Sequence, residues 1–298
     1  MRAGWDIDPR LKKGLSMRLS HLSLGAIALS AAAPALAQDT APPKAITVSG
    51  SATVTSDYRF RGVSQSDKEV AVQGGITITH ESGLYIGTWG SNLAGWGTFG
   101  GGNLELDLIG GYKLPVGGGG TLDIGLTWYV YPGGADKTDF AEPYVKLSGT
   151  IGPVSATAGV AYAPQQEALG RWYFTGADAA AGVYNDPGDK EDNLYLWGDF
   201  AAGLPNTPLT LKAHIGYSDG NPGLGPNATS VAPTGKYWDW SLGVDVVPTP
   251  GLTLNVSYVD TDISDRDAAY LRPSFSKGQD GTGNIADGAI LASLTASF

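Results

Sequence analysis

The sequence predicts an all-β fold, a transmembrane antiparallel up-and-down β-barrel of about twelve strands over residues 46–298. Three observations carry that expectation. Long segments alternate apolar and polar residues with the two-residue period of a strand, and they approach the ~9–11 residues a tilted strand needs to cross a bilayer. The connections between these segments alternate between short and long. The final segment, GAILASLTASF, places Ile290, Ala292, Leu294, Ala296 and Phe298 on one parity and Ala289, Leu291, Ser293, Thr295 and Ser297 on the other. Left at an edge, such a strand invites aggregation; in a closed barrel it pairs with the first strand.

The elements follow in order. Strand one (46–58) sets Ile46, Val48, Ala52 and Val54 against Thr47, Ser49, Ser51, Thr53, Thr55 and Asp57. Strand two (70–80) sets Val70, Val72, Ile76 and Ile78 against Gln73, Thr77 and Thr79, and strand three (84–92) follows the turn Glu81-Ser82-Gly83. Strands four (104–114) and five (122–131) oppose leucines and aromatics to Glu105, Asp107, Lys113, Asp123 and Thr127. Strand six carries Glu142 and Lys146 on its polar parity and turns at Gly152-Pro153 into strand seven (154–162). Strand eight (193–202) is irregular because Tyr195 and Trp197 share a parity with Asp199. Strand nine opposes Thr210, Lys212 and His214 to Leu209, Leu211 and Ile215; strand ten opposes Asp239, Ser241 and Asp245 to Trp238, Trp240 and Leu242; strand eleven opposes Asn255 and Ser257 to Leu252, Leu254 and Val256.

Connections 81–83, 115–120, 152–153, 203–207 and 248–251 are short, while 59–69, 93–102, 132–139, 163–192, 218–236 and 261–287 are mostly longer. With an even strand number this is the outer-membrane pattern of periplasmic turns and extracellular loops. Tyr58, Phe60, Trp89, Trp128, Tyr162, Tyr217, Trp238, Trp240 and Tyr258 are expected where strands meet the long loops. Tyr85, Tyr112 and Phe298 are expected near the turns, as two interfacial girdles.

Composition agrees with this class. Of 298 residues 42% are hydrophobic, which excludes disorder, and 44 glycines, 14 tyrosines and 8 tryptophans suit strands and tight turns. The absence of cysteine removes disulfide and thiolate chemistry. Residues 1–37 are expected to be a cleaved export signal: Lys12, Lys13 and Arg18 precede an apolar run, and Ala35-Leu36-Ala37 supplies the small-residue site before Gln38. Asp6 and Asp8 are poor signal material, so the start is either Met1 or Met17. Residues 38–45 form a spacer. Removal of 1–37 takes away five basic and two acidic groups, leaving 14 against 27 and a formal charge of −13. That balance speaks against nucleic-acid binding.

With apolar faces toward lipid, the opposite parity lines the lumen: Asp57, Gln73, Glu105, Asp107, Lys113, Asp123, Glu142, Lys146, Asp199, Lys212, His214, Asp239, Asp245 and Asn255. Acids outnumber bases, which favours cations or small neutral solutes in a narrow channel. In the opposing reading the same residues pair with one another and plug the barrel, leaving the long loops to bind an external partner. A lumen hydrolase would depend on His80 or His214, with no supporting motif, and neither a cofactor nor a metal is expected. The acidic runs Asp260/Asp262/Asp265/Asp267 and Asp186/Asp189/Glu191/Asp192 lack calcium-loop spacing and read as solvated loops.

One stretch departs from plain alternation: Ser56-Asp57-Tyr58-Arg59-Phe60-Arg61-Gly62-Val63-Ser64-Gln65-Ser66, followed by Ala71-Val72-Gln73-Gly74-Gly75 and His80 to Asn92. Over residues 47–96 the chain closely resembles the TorF family, proteobacterial outer-membrane proteins regarded as porins. The resemblance implies a barrel in the outer membrane of a Gram-negative bacterium and passive solute passage, and it carries no catalytic residues. Asp57, Arg59 and Arg61 are read as a folding or rim element ahead of a selectivity filter. Phe298 resembles the terminal phenylalanine by which the barrel-assembly machinery recognises its substrates, so the expected partners are outer-membrane lipid, that machinery and small solutes.

Overall fold

A computed structural model describes residues 45–298; residues 1–44, which hold the expected export signal and nearly all of the spacer, lie outside them. In chain order the strands are β1 (Ile46–Thr55), β2 (Arg59–Phe60), β3 (Val63–Ser64), β4 (Ala71–His80), β5 (Leu84–Asn92), β6 (Leu104–Val116) and β7 (Gly120–Val130). They continue with β8 (Phe140–Ile151), β9 (Val154–Gln166), β10 (Glu191–Gly203), β11 (Leu209–Gly220), β12 (Lys236–Thr249), β13 (Leu252–Thr261) and β14 (Ala289–Ser297). Twelve of them form one closed antiparallel barrel in the order β1-β14-β13-β12-β11-β10-β9-β8-β7-β6-β5-β4. The remaining two, β2 and β3, are a short hairpin inside it.

The seam closes where the terminal strand requires. β1 pairs with β4 from Ile46↔His80 to Thr55↔Ala71 and with β14 from Ser51↔Ser297 to Thr55↔Ser293. Gly50 and Phe298 exchange two backbone hydrogen bonds of 3.0 Å, so the ladder continues to the last residue. A closed ladder leaves no unpaired edge.

Alternation sorts the side chains. Val54, Val72, Ile86, Ile124, Leu242 and Ile290 are exposed on the outer wall, while Glu105, Asp107, Asp123, Glu142 and Asp239 are buried inside. A soluble protein seldom exposes contiguous apolar surface beyond a few hundred Å2. A continuous apolar belt around a closed barrel is the surface that lipid covers, with every backbone group satisfied between strands.

The packed apolar core lies at the loop end rather than in the wall. Tyr58, Phe60, Val63, Trp96, Phe99, Leu169, Leu224, Leu271, Phe275 and Ile285, drawn from five different connections, form one buried cluster that caps the barrel. Trp96 meets Phe275 edge-on at 4.7 Å and Phe99 meets Tyr131 at 5.2 Å.

Two expectations are corrected here. Strand one ends at Thr55 rather than at residue 58, because Ser56 to Glu69 turns inward as the β2–β3 hairpin. Tyr58, Phe60, Trp89 and Tyr85 are consequently not girdle residues. Tyr58 and Phe60 are buried in the cap, Trp89 packs edge-on against Tyr58 at 5.3 Å, and Tyr85 is inside the barrel, donating its hydroxyl to Asp123 (2.7 Å). Trp128, Tyr162, Trp238, Tyr258, Tyr112 and Phe298 are exposed.

Candidate functional site

The lumen encloses a cavity of about 360 Å3, lined by the inner faces of every barrel strand except β6 and by the inserted hairpin. Its walls are rich in hydroxyl and amide groups, among them Ser51, Thr53, Gln73, Asn255, Ser293 and Thr295. These lie on the polar parity of short strand repeats, so alternation alone places them inside.

The hairpin is held by charge. Asp57 is its hub: it accepts from Arg59 Nε (2.6 Å), Ser64 Oγ (2.6 Å) and Ser66 Oγ (3.1 Å). Arg59 also donates through Nη1 to the carbonyls of Gly62 (2.8 Å) and Asp287 (3.1 Å), which ties the hairpin to the last loop. At Gly62 φ is +79°, and a Cβ would press on Thr261 of β13, so only glycine turns the chain this close to the wall. Arg61 then reaches across the lumen. Its Nη2 donates to both oxygens of Glu142 on β8 at 2.7 Å, and its guanidinium lies 4.1 Å from the Tyr195 ring centroid and 4.7 Å from that of Phe60. Lys68 fastens the hairpin's exit through a hydrogen bond to the Asn284 carbonyl (2.7 Å), and burial lowers its pKa.

Below the hairpin the charges come in pairs. Lys212 faces Asp245 at 3.7 Å, and Asn255 Nδ2 donates to Asp245 (2.7 Å). His214 sits between two carboxylates, Nδ1 at 2.7 Å from Asp199 and Nε2 at 3.1 Å from Asp239, with Tyr195 Oη 2.9 Å from Nε2. Lys146 pairs with Asp123 at 3.4 Å, and Lys113 lies 5.0 Å from the Tyr85 ring. Gln73 donates weakly to Ser91 (3.4 Å).

The structure places the sequence-nominated lumen residues in three groups. Asp57, Gln73, Glu142, Lys146, Asp199, Lys212, His214, Asp239, Asp245 and Asn255 line the cavity. Glu105 and Asp107 lie apart from it, among the aromatics under the cap; Glu105 accepts from Tyr58 Oη (2.7 Å), and neither oxygen of Asp107 has a hydrogen-bond partner among the described residues. Lys113 and Asp123 stand toward the turn end, outside the cavity wall, where Tyr85 and Tyr144 join hydroxyls. Arg61, nominated as part of a folding or rim element, and Tyr195 and Trp197, absent from the nominated lumen residues, also line the cavity. Their signals were present: Tyr195 and Trp197 interrupt the polar parity of β10, and Arg61 precedes a glycine in a stretch that breaks alternation.

Fold and site together define a twelve-stranded transmembrane β-barrel with a polar lumen, an inserted hairpin and a loop-end cap. The chain belongs to a family of bacterial proteins of unknown function, Gcw_chp, whose model matches residues 38–298. No curated protein matches the sequence. Among solved structures, the chain is similar to a KdgM porin in complex with disordered oligogalacturonate (7% identity, 85% of this chain and 99% of that chain, TM-score 0.47). It is also similar to the outer-membrane channel DcaP of Acinetobacter baumannii (11%, 85% and 97%, TM-score 0.38) and to a loop-deletion mutant of OmpT, an outer-membrane protein of Vibrio cholerae (10%, 85% and 99%, TM-score 0.39).

Proposed function

We propose that the protein is an outer-membrane channel for the passive diffusion of small polar solutes, exported through cleavage before Gln38 and assembled through its C-terminal strand. The supporting observation is the lumen cavity, whose wall carries hydroxyl, amide and charged side chains and includes the Arg61–Glu142 pair. The resemblance of Ser56 to Gly62 to the TorF family supports the same reading. Paired lumen charges favour neutral solutes over ions, and the residual acidic excess favours cations over anions. Proteoliposomes carrying the native chain should swell in small neutral osmolytes and exclude larger ones; no entry of any osmolyte by correctly inserted protein would defeat the proposal. N-terminal sequencing of the membrane-inserted form should begin at Gln38.

A second reading has its own observation. The apolar cap buries loop residues such as Leu169 and Phe275 as a domain core does, which suits a plugged barrel whose loops bind an external partner. Osmolyte entry in the native chain favours the channel, while no entry, together with partner binding that is lost on deleting residues 163–192, favours this reading.

A further inference from the structure

Trp197 on β10 faces the lumen in an unusual pose for so large a side chain. The residue directly across from it on β9 is Gly159, and a Cβ there would overlap the indole, so the ring lies flat against the neighbouring backbone. Tyr195 lies the same way over Gly216 and stacks with Trp197 at 5.6 Å and 18°. Arg61 occupies the face of Tyr195. Trp197 has no cation and no ring other than Tyr195 against it among the described residues, and it lines the cavity. The glycine therefore converts a bulky lumen side chain into a flat apolar panel.

The groups around that panel are hydrogen-bonding and charge-compensated. β10 stands across the barrel from β1 and β4, which contribute Thr53 and Gln73. Asp199 is engaged by His214, and Lys212 by Asp245. A charged solute must compete with these pairs, whereas a neutral solute bearing hydroxyls can donate to the carboxylates and amide oxygen and accept from hydroxyl groups while leaving the pairs intact. A site with one apolar panel and many dispersed polar partners fits a molecule with one apolar face and a hydroxylated rim. The cavity volume lies at the small end of ligand sites.

We infer that this wall is a binding site for a neutral hydroxylated ring compound of monosaccharide size, stacked on Trp197. The inference rests on the channel reading only in that the solute reaches the lumen, and binding is measured without passage. The refolded full barrel in detergent is titrated with glucose, galactose and xylose, and separately with tetramethylammonium as a cationic ring-face probe, by calorimetry and ligand-observed NMR. At least one sugar should bind saturably. Its affinity should fall at least tenfold in Trp197→Leu and in Gly159→Ala, whose methyl group displaces the ring, and stay within about threefold in Trp197→Phe. No saturable sugar binding, or equal affinity in Trp197→Leu, overturns the inference, as does Trp197-dependent binding of tetramethylammonium alone. Should Trp197→Leu fail to fold, Gly159→Ala and Trp197→Phe carry the comparison. Binding without entry into proteoliposomes upholds this site and removes the channel function, while entry without binding does the reverse.

Discussion

Substitution of Arg61 by alanine should release the inserted hairpin. The Arg61 and Glu142 side chains are 3% and 4% exposed, and two 2.7 Å hydrogen bonds join them. Loss of one partner from a buried pair costs about 3–5 kcal/mol, because the other charge is left uncompensated. The ring contacts with Tyr195 and Phe60 contribute about 0.5–2 kcal/mol each. The sum is about 4–9 kcal/mol, and at about 1.4 kcal/mol per tenfold it shifts the docked-to-released ratio of the hairpin by roughly a thousandfold or more. The barrel ladder does not depend on this contact, so Arg61→Ala should still insert. In planar bilayers it should pass larger and noisier currents than the native chain, and residues 59–68 should lose hydrogen-exchange protection. Glu142→Gln should give a weaker form of the same change, and the double variant should be less than additive. Native currents and native protection in Arg61→Ala would refute the reading that the Arg61–Glu142 contact holds the hairpin docked in the lumen.

Other outcomes follow from single features. Phe298→Ala should lower the membrane-inserted yield, measured by heat-modifiable gel mobility, and Gly50→Val should do the same because its side chain meets the Phe298 ring within 2.6 Å and the Gly75 carbonyl within 2.8 Å; undiminished insertion of both counts against the terminal strand as the assembly element. Asp107→Asn should leave the unfolding temperature unchanged or raise it, since it removes a buried carboxylate that lacks a hydrogen-bond partner, and a loss above ~1 kcal/mol contradicts this. Asp280 accepts from the backbone and hydroxyl of Thr282, and these bonds lower its pKa from 3.8. With the folded value depressed, its contribution is fully present above the ordinary pKa and is lost as pH falls through the lower one. Protection of residues 280–283, taken relative to the intrinsic exchange rate at each pH, should therefore fall on acidification below about 3.8 in the native chain and not in Asp280→Asn.

The wall of the barrel was legible because its physics is local. A two-residue period sorts each side chain to lipid or lumen whatever the rest of the chain does, so Ile290 and Asp239 declare their faces without reference to any partner. The seam followed from the parity of the last strand. The hairpin was harder, because its position depends on contacts far apart in sequence: Arg61 with Glu142, Arg59 with Asp287, and Gly62 with Thr261. Alternation extended strand one through Tyr58, and only the buried Asp57 hub explains why the chain turns inward at residue 56. The pairing of the lumen charges was hidden in a related way. Counting Asp and Glu by parity finds an acidic passage, but pairing depends on register, which joins Asp123 directly to Lys146 and carries Lys212 within reach of Asp245. The aromatic panel is likewise a property of two strands, since Trp197 lies flat only because Gly159 is its partner.

Single-channel recording of the native chain in planar bilayers under a potassium chloride gradient bears most directly on passage through this lumen. Small discrete conductance steps with a reversal potential favouring potassium are expected from a narrow path with a residual excess of carboxylates. A silent bilayer containing verified, correctly inserted barrel would contradict it.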